Sequence, residues 1–320
     1  MKAIVVTNRW TGTLTLSERP APRPGPGELL VRVRAAGVNP VDWKMRSGLL
    51  GATVGRGLPE VPGIDVAGRI EAVGPRARPD DANAFASGMR IVGFANRGGA
   101  WAELVVVARS RAARLPDEVG FVEAAAMPVA GLTALQALRN RAGLAAGARL
   151  LVNGASGGVG TFAVQLGRIL GAHVTAVTSG PNADLVKRLG AERVVDYTRE
   201  DFTRSPDQYD VILDAVASRT FAQCRPCLAP KGTYITTLPG GSNLAWSALA
   251  RLGAAGGRQV VLASVQPESA DLAYLAKLVA QGELRPTIEG ELPLAEASDA
   301  VAQSRGGHVH GKLVLTVGGD

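Results

Sequence analysis

The chain has 320 residues, of which 46% are hydrophobic and 20% charged, and its 35 basic and 28 acidic side chains give a net charge of +7. This length predicts two domains, and the apolar content excludes a disordered or fibrous protein. The basic residues are scattered and only 4% of residues are aromatic, a pattern that argues against nucleic-acid binding.

The sequence gives no sign of a membrane protein or a secreted one. The charge-free stretch 124–138 contains Pro128 and is too short to span a bilayer. The first residues, MKAIVVTNRW, lack the long apolar core of a signal peptide. Two cysteines, Cys224 and Cys227, cannot form a disulfide framework for a chain of this length. We therefore expect a cytoplasmic protein.

The first 120 residues are rich in glycine and proline and contain short β-branched runs. Short strands separated by turn residues predict an irregular β-rich or barrel-like domain. The predicted strands are 3–7, 29–35, 66–73, 90–94 and 101–107.

From Phe121 the pattern changes. The segment EAAAMPVAGLTALQALRN has helical spacing with an interruption at Pro128, and strands then alternate with helices. This alternation predicts a doubly wound parallel sheet with right-handed crossovers. The predicted strands are 150–153, 174–178, 194–196, 211–214, 233–237 and 260–263, and the predicted helices are 159–170, 183–189, 220–228 and 270–281. After Leu284 a helix at 295–303 precedes a strand at 312–317, which we assign to the N-terminal domain.

The turn after the strand 150–153 carries the most specific signal. Ala155, Gly157 and Gly160 fit the dinucleotide fingerprint G-x-G-x-x-G with alanine at its first position, and the turn leads into an amphipathic helix. Gly157 would let the backbone approach a pyrophosphate, and Gly160 would let helix and strand pack closely. The next strand ends in Thr178-Ser179-Gly180 without the carboxylate typical of NAD sites, which favours NADPH over NADH.

Two other interpretations of these segments stay open. The turn also matches the nucleophile elbow G-x-S-x-G, so a serine hydrolase would use Ser156 with Asp214 and with His308 or His310. A hydrolase, however, needs several sheet strands before the elbow, and the preceding segment reads as a separate β domain. Cys224 and Cys227 form C-x-x-C, which permits redox or metal chemistry as well as ordinary packing.

The whole chain resembles the medium-chain dehydrogenase/reductase superfamily, specifically its zinc-free quinone oxidoreductase branch. The resemblance implies an α/β protein with a GroES-like β-rich catalytic domain at 1–122, completed by 285–320, and a Rossmann domain at 123–284, with the active site in the cleft. The segments that carry it are AAGVNPVDWKMRSG, VPGIDVAGRIEAVG, GAWAELVVV, EAAAMPVAGLTALQAL, NGASGGVGTFAVQLGRILGAHV, YDVILDAV and GKLVL.

The sequence departs from the zinc alcohol dehydrogenases of this superfamily at their metal ligands. Those enzymes carry a cysteine where this chain has Asn39, and Gly-His-Glu where it has Gly63-Ile64-Asp65. A catalytic zinc needs about three converging ligands, so we expect no zinc. Without a metal, the chemistry expected is reduction of an electrophilic carbon by NADPH, in a quinone or an α,β-unsaturated carbonyl compound.

The resemblance also assigns roles to individual residues. Asn39 would lie near the nicotinamide. Where relatives often have tyrosines near the substrate this chain has Lys44 and Leu50, so the proton would come from Lys44 or from solvent. The residues implied in cofactor binding are Asn39, Thr133, Ser156, Gly157, Gly158, Val159, Ser179, Tyr197, Ala215, Val216, Leu238, Pro239, Gly240 and Lys312.

The same resemblance sets the expected partners. We expect a small electrophile as substrate and a possible homodimer through the Rossmann domain. The alternative within the family is a protein that binds the nucleotide without turnover and acts through a partner.

Overall fold

The structure is a computed structural model that describes residues 1–8, 10–46, 60–75, 85–95, 98–237, 241–251 and 253–318. By its internal contacts the chain divides into two compact units. The first unit contains Met1–Val129 and Pro267–Asp320, and the second contains Ala130–Gln266. In the described ranges, no helix is both long and apolar enough to cross a lipid bilayer.

The first unit is built on a mainly antiparallel sheet that combines strands from both ends of the chain and contains one parallel pair. The strands are β1 (Lys2–Asn8), β2 (Thr13–Glu18), β3 (Glu28–Val38), β4 (Asp65–Val73), β5 (Arg90–Phe94), β6 (Leu104–Ala108), β7 (Ala112–Arg114), β14 (Ile288–Pro293) and β15 (Lys312–Thr316). The strand order of the sheet is β14-β15-β3-β4-β5-β7, with β6 paired to β3, and β1 and β2 form a separate hairpin. The C-terminal strand joins the sheet of the N-terminal residues, because β15 pairs with β3.

The core of the first unit lies on the apolar face of this sheet. Trp101 is fully buried and donates through Nε1 to the carbonyl of Gly37, at 3.2 Å. Trp101 precedes β6, so the strand predicted at 101–107 begins later than expected. The described helices of this unit are α1 (Pro40–Lys44), α2 (Phe121–Ala125), α8 (Ser269–Ala280) and α9 (Ala297–Gly306).

The second unit contains the predicted parallel sheet. Its strands are β8 (Arg149–Asn153), β9 (His173–Thr178), β10 (Arg193–Asp196), β11 (Tyr209–Asp214), β12 (Leu228–Thr236) and β13 (Gln259–Leu262). Their order is β10-β9-β8-β11-β12-β13 and all neighbours are parallel. Counted from β8 this is 3-2-1-4-5-6, the order of a dinucleotide-binding sheet whose ligand site lies beyond the carboxyl ends of the strands.

The helices follow the predicted pattern with local corrections. They are α3 (Pro128–Leu135), α4 (Gly158–Ile169), α5 (Ala183–Arg188), α6 (Phe221–Cys224) and α7 (Gly241–Arg251). The predicted interruption at Pro128 is confirmed, since α2 ends at Ala125 and α3 begins at Pro128. A proline tolerates the first turn of a helix, where its missing N–H has no intrahelical partner. The sequence analysis did not predict α7.

The boundary between the units differs from the expected one at the C-terminal side. Helix α8 was expected in the second domain, but it belongs to the first unit, where the Ser269 hydroxyl donates to the carbonyl of Ala112 at 2.6 Å. The strands β2 and β14 were not predicted, because both are short and largely exposed and so lack the apolar runs that mark buried strands. Pairing of two copies through the edge of the second sheet stays a prediction.

Candidate functional site

The turn between β8 and α4 has the geometry of a nucleotide-binding turn. Gly154 adopts a φ of +78°, and a Cβ atom at Gly160 would lie 2.1 Å from the Gly154 carbonyl oxygen, so glycine is required there. At Gly157 the nearest atom to such a Cβ would be 3.5 Å away, so this position is open. Gly157 is the N-cap residue of α4 and gives it no side-chain cap. The first N–H groups of the helix are therefore available to an anion.

The structure places further predicted cofactor residues beside this turn. The Thr178 hydroxyl at the end of β9 donates to the Ser156 hydroxyl at 2.9 Å, which leaves the Ser156 hydroxyl free to donate in turn. Val216 is 50% exposed and packs on Gly154, where its Cγ1 would be 2.5 Å from a Cβ. The carboxyl ends of β8, β9 and β11 thus form one continuous surface with the glycine turn.

The ends of β9 and β10 form the surface predicted to hold the adenosine 2′-phosphate. Thr178 pairs with Asp196, and the Tyr197 N–H donates to the Thr178 carbonyl at 3.1 Å. Ser179 follows Thr178, and its hydroxyl accepts from Asn182 Nδ2 at 3.0 Å. Ser179 and the exposed Tyr197 therefore lie at adjacent strand ends.

The sequence analysis missed a carboxylate at this surface. A Cβ atom at Gly180 would lie 2.8 Å from Asp196 Oδ2. Hydrogen bonds from the Thr198 hydroxyl and N–H hold the pKa of Asp196 below its usual value, so this side chain is ionised at neutral pH. The exposed Arg199 lies near it, with Nε 3.6 Å from Oδ2. Thr178-Ser179-Gly180 lacks a carboxylate, but the neighbouring strand supplies one together with an arginine.

The first unit contains a buried polar cluster of Asn39, Asp65 and Lys312. Each of these residues is at most 3% exposed. Lys312 Nζ donates to the Asn39 Oδ1, to the Val38 carbonyl at 3.1 Å and to Asp65 Oδ2 at 3.4 Å. Asn39 Nδ2 donates to Asp65 Oδ2 at 2.9 Å. The other Asp65 oxygen accepts from the Val129 N–H at 2.8 Å.

Strand pairing brings the three residues together. Leu313 pairs with Val38, so Lys312 at the start of β15 lies across from Asn39, which follows the end of β3. Strand β4 begins at Asp65 on the other side of β3. Gly37 makes room for the carboxylate, since a Cβ there would be 2.8 Å from Asp65 Oδ2. Three neighbouring strands therefore present their ends at one point.

Asp42 lies beside this cluster and closes the first turn of α1. It is fully buried, and its Oδ2 accepts from the Asn39 N–H at 2.8 Å. Burial, followed by the negative charge of Asp65, raises the pKa of Asp42 to about 7. Its Oδ1 has no hydrogen-bond partner among the described residues. The Asp42 carboxyl therefore loses its proton near neutral pH.

The remaining predicted residues have varied surroundings. Lys44 is exposed and lies over the ring of Trp43, 5.5 Å from its centroid. Thr133 is buried on α3. Leu238, Pro239 and Gly240 lie outside the described residues.

Within the described part of the second unit, the hydrogen bonds of Ser156 and Asp214 go to residues other than histidine. Asp214 is bound by Asn153 Nδ2 at 2.9 Å, by the Arg219 N–H and by the Tyr234 hydroxyl. The Ser156 hydroxyl accepts from Thr178, and His310, one of the two histidines of the hydrolase alternative, has its Nδ1 3.8 Å from Glu289 Oε1.

Cys224 and Cys227 are fully buried, and burial raises the pKa of both thiols, to about 11 for Cys227. Protonated, buried thiols of this kind are unreactive. Across the ranges that the structure describes, no group of three or more histidine, cysteine, aspartate or glutamate side chains could hold a metal ion.

The geometry can now be set beside known proteins. The family described as "Alcohol dehydrogenase GroES-like domain" matches residues 25–117, and the family described as "Zinc-binding dehydrogenase" matches residues 189–315. The "Chloroplast envelope quinone oxidoreductase homolog" of Arabidopsis thaliana is 36% identical over 92% of each chain. The chain belongs to the medium-chain dehydrogenase/reductase superfamily, in its quinone oxidoreductase-like branch.

Two further relatives agree with this assignment. The mitochondrial NAD(P)H oxidoreductase RTN4IP1 of Mus musculus is 33% identical, over 91% of this chain and 82% of its own. The solved quinone oxidoreductase of Coxiella burnetii superposes with a TM-score of 0.88 at 31% identity, covering 99% of both chains. The first unit is thus a GroES-like domain and the second a Rossmann-type domain, and the protein is an oxidoreductase of the kind that uses a nicotinamide cofactor.

Proposed function

We propose that this protein is an NADPH-dependent, zinc-independent reductase of quinones or of the C=C bond of α,β-unsaturated carbonyl compounds. The observation that carries the proposal is the pairing of two features. One is the glycine turn, with its open Gly157 and uncapped helix. The other is the Asn39 amide, whose place corresponds to a metal ligand of the zinc relatives but which is held by Asp65 and Lys312.

The Rossmann unit would bind the nucleotide through its backbone. The N–H groups at Gly158 and Val159 and the Ser156 hydroxyl would hold the pyrophosphate, and Val216 would cover the turn. Bound NADPH would supply a hydride to the quinone or to the enone β-carbon, and the substrate oxygen would become negatively charged until a proton reaches it. The chain's own task is then to hold the substrate and stabilise that oxygen.

Asn39 is the group that we assign to this oxygen. An amide N–H donates a hydrogen bond without supplying a proton, so the proton must come from elsewhere. Lys44 is exposed, so either its ammonium or solvent could supply the proton. A variant Lys44→Ala with unchanged kcat would assign the proton to solvent.

The cofactor preference that we propose rests on the ends of β9 and β10. Ser179, Tyr197 and Arg199 offer hydroxyl and guanidinium donors to a 2′-phosphate, whereas Asp196 opposes one. We propose that the donors prevail and that NADPH is preferred. Cytoplasmic location and a homodimer remain part of the proposal and have separate tests in cell fractionation and in sedimentation.

The test is turnover with defined acceptors. Purified protein is mixed with NADPH or NADH and with menadione or methyl vinyl ketone, and oxidation of the cofactor is followed by absorbance. Consumption of NADPH with either acceptor, without added zinc and in the presence of a chelator, supports the proposal. NADPH binding with no turnover across a broad panel of electrophiles would instead support the non-catalytic alternative.

A further inference from the structure

The polar cluster of the first unit fixes the orientation of one amide. Asn39 Oδ1 accepts from the Lys312 ammonium, and Nδ2 donates one of its two hydrogens to the Asp65 carboxylate. Rotating the amide by half a turn would place NH₂ against the ammonium and C=O against the carboxylate, and both contacts would become repulsive. The direction of the second Nδ2 hydrogen therefore follows from the first.

The Asn39 side chain does not cap the helix that follows it. It is the N-cap residue of α1, where an asparagine oxygen commonly accepts from the first turn of the helix. The structure shows no side-chain cap here, and Asp42 instead receives the Asn39 N–H. The cluster, and not the helix, determines where this amide points.

We propose that Lys312 and Asp65 are positioning residues that orient and polarise the Asn39 amide, so that its second N–H becomes a strong donor to the substrate oxygen. This inference rests on the proposed function of Asn39. Lys312 acts through Asn39, because its ammonium has three N–H donors and three acceptors within the first unit.

The physical reason for polarisation is the charge on the lysine. An ammonium at the amide oxygen draws electron density from the nitrogen and makes the remaining N–H a better donor, and hydrogen bonds in a chain strengthen one another. Burial strengthens the effect because water does not screen it. The Asp65 carboxylate neutralises the ammonium overall, so the cluster presents a directed donor without a net charge.

The experiment compares a charge-free cluster with the loss of the amide. The double variant Asp65→Asn with Lys312→Gln keeps hydrogen-bonding groups of similar size but removes both charges, so neither charge is left buried alone. Asn39→Ala removes the donor itself. The triple variant combines all three changes. Lys312→Arg keeps the charge and is the conservative control, and melting temperatures verify that each variant is folded.

We expect the double variant to lower kcat with menadione about tenfold while KM for NADPH changes less than about twofold. In the Asn39→Ala background the same two changes should have no further effect on kcat. Lys312→Arg, which keeps the charge, should have a kcat between those of the wild type and the double variant. If the double variant lowers kcat by the same factor with and without Asn39, or does not lower it in the presence of Asn39, the positioning role is wrong.

A readout independent of turnover separates this inference from the proposed function. In ¹H–¹⁵N spectra the Asn39 side-chain pair, identified by its loss in Asn39→Ala, should show two well-separated protons that exchange slowly with solvent. The double variant should bring the two resonances together and speed their exchange. Unchanged resonances overturn the positioning role. Wild-type protein that fails to reduce any acceptor, with these resonances as expected, would instead overturn the proposed function alone.

Discussion

The glycine turn of the Rossmann unit and the polar cluster of the GroES-like unit are built in opposite ways. The turn lacks side chains, so that backbone N–H groups and the space at Gly157 are left open for the proposed cofactor. The cluster works by filling a buried site with charges and amides that satisfy one another. The difference teaches that the turn is specified within a few consecutive residues, whereas the cluster exists only when distant strands pair.

The largest expected effect is on the stability of the cluster. Lys312→Gln alone would leave the Asp65 carboxylate buried without its cation, and Asp65→Asn alone would leave the ammonium uncompensated. Each should lower the free energy of unfolding by about 3–5 kcal/mol. The double variant Asp65→Asn with Lys312→Gln should cost clearly less than the sum of the two single changes, because it leaves no lone charge.

Urea unfolding followed by tryptophan fluorescence measures this coupling. Trp10, Trp43 and Trp101 lie in the first unit, so the signal reports mainly on that unit. Additive losses in the three variants would show that the ion pair does not act as a unit.

The second expected effect distinguishes packing from ligand approach within the turn. Gly160→Ala should lower the free energy of unfolding by about 1–3 kcal/mol, because its Cβ would meet the Gly154 carbonyl oxygen. Gly157→Ala is the matched change. The backbone there is extended, with φ of −80°, and its Cβ meets nothing closer than 3.5 Å, so stability should be unchanged.

The ligand separates the two glycine variants further. Because a Cβ at Gly157 would occupy the space proposed for the pyrophosphate, Gly157→Ala should raise the Kd for NADPH about tenfold, measured by fluorescence titration. Wild-type affinity in a folded Gly157→Ala variant would mean that the pyrophosphate lies elsewhere.

These contrasts show what could be predicted from the sequence. The strand, glycine turn and helix at 150–170 are local in sequence, so spacing alone predicted them. Asn39 and Asp65 were singled out together, as places where zinc ligands are missing, and Lys312 separately, as a cofactor contact. Their association spans 26 and 273 residues and depends on the pairing of β15, β3 and β4. The signal available was that two positions of one metal site must be close in space.

Asp196 was missed for a related reason. The cofactor argument considered only the end of β9, whereas the neighbour of β9 is decided by the order of the sheet. Once β10 is placed beside β9, Asp196 must lie across from Thr178. Prediction of the strand at 194–196, together with the order of a doubly wound sheet, was sufficient to expect a carboxylate at that edge.

The third prediction concerns Asp42, which joins the cluster to helix α1. Its pKa is raised to about 7 in the folded protein, against about 3.9 for an unfolded chain. Between these values the native state binds a proton that the unfolded state has lost, so this carboxyl makes stability fall as the pH rises, by up to about 1.4 kcal/mol per pH unit. Above both values the loss is complete.

Asp42→Asn should remove this component while its amide oxygen still accepts from the Asn39 N–H. The variant should therefore gain stability relative to wild type as the pH rises from about 5 to about 8. Urea midpoints across that range provide the difference curve, which cancels the other titrating groups. Parallel curves for the two proteins would show that Asp42 is already ionised in the folded state.

The smallest expected effect concerns the ends of β9 and β10, where we propose that the adenosine 2′-phosphate binds. It tests whether this surface acts through charged side chains, as the cluster does, or through neutral donors, as the turn does. If the exposed side chains there act through charge, Asp196→Asn should raise kcat/KM for NADPH relative to NADH about threefold to tenfold, because it removes a negative charge near the 2′-phosphate. Arg199→Ala should shift the ratio in the opposite direction. Both effects should shrink at high salt, since exposed charges are screened within about 10 Å at 0.1 M salt. A ratio that neither variant moves would mean that the hydroxyls of Ser179 and Tyr197 alone select the cofactor, and this end would then depend on neutral donors, as the glycine turn does.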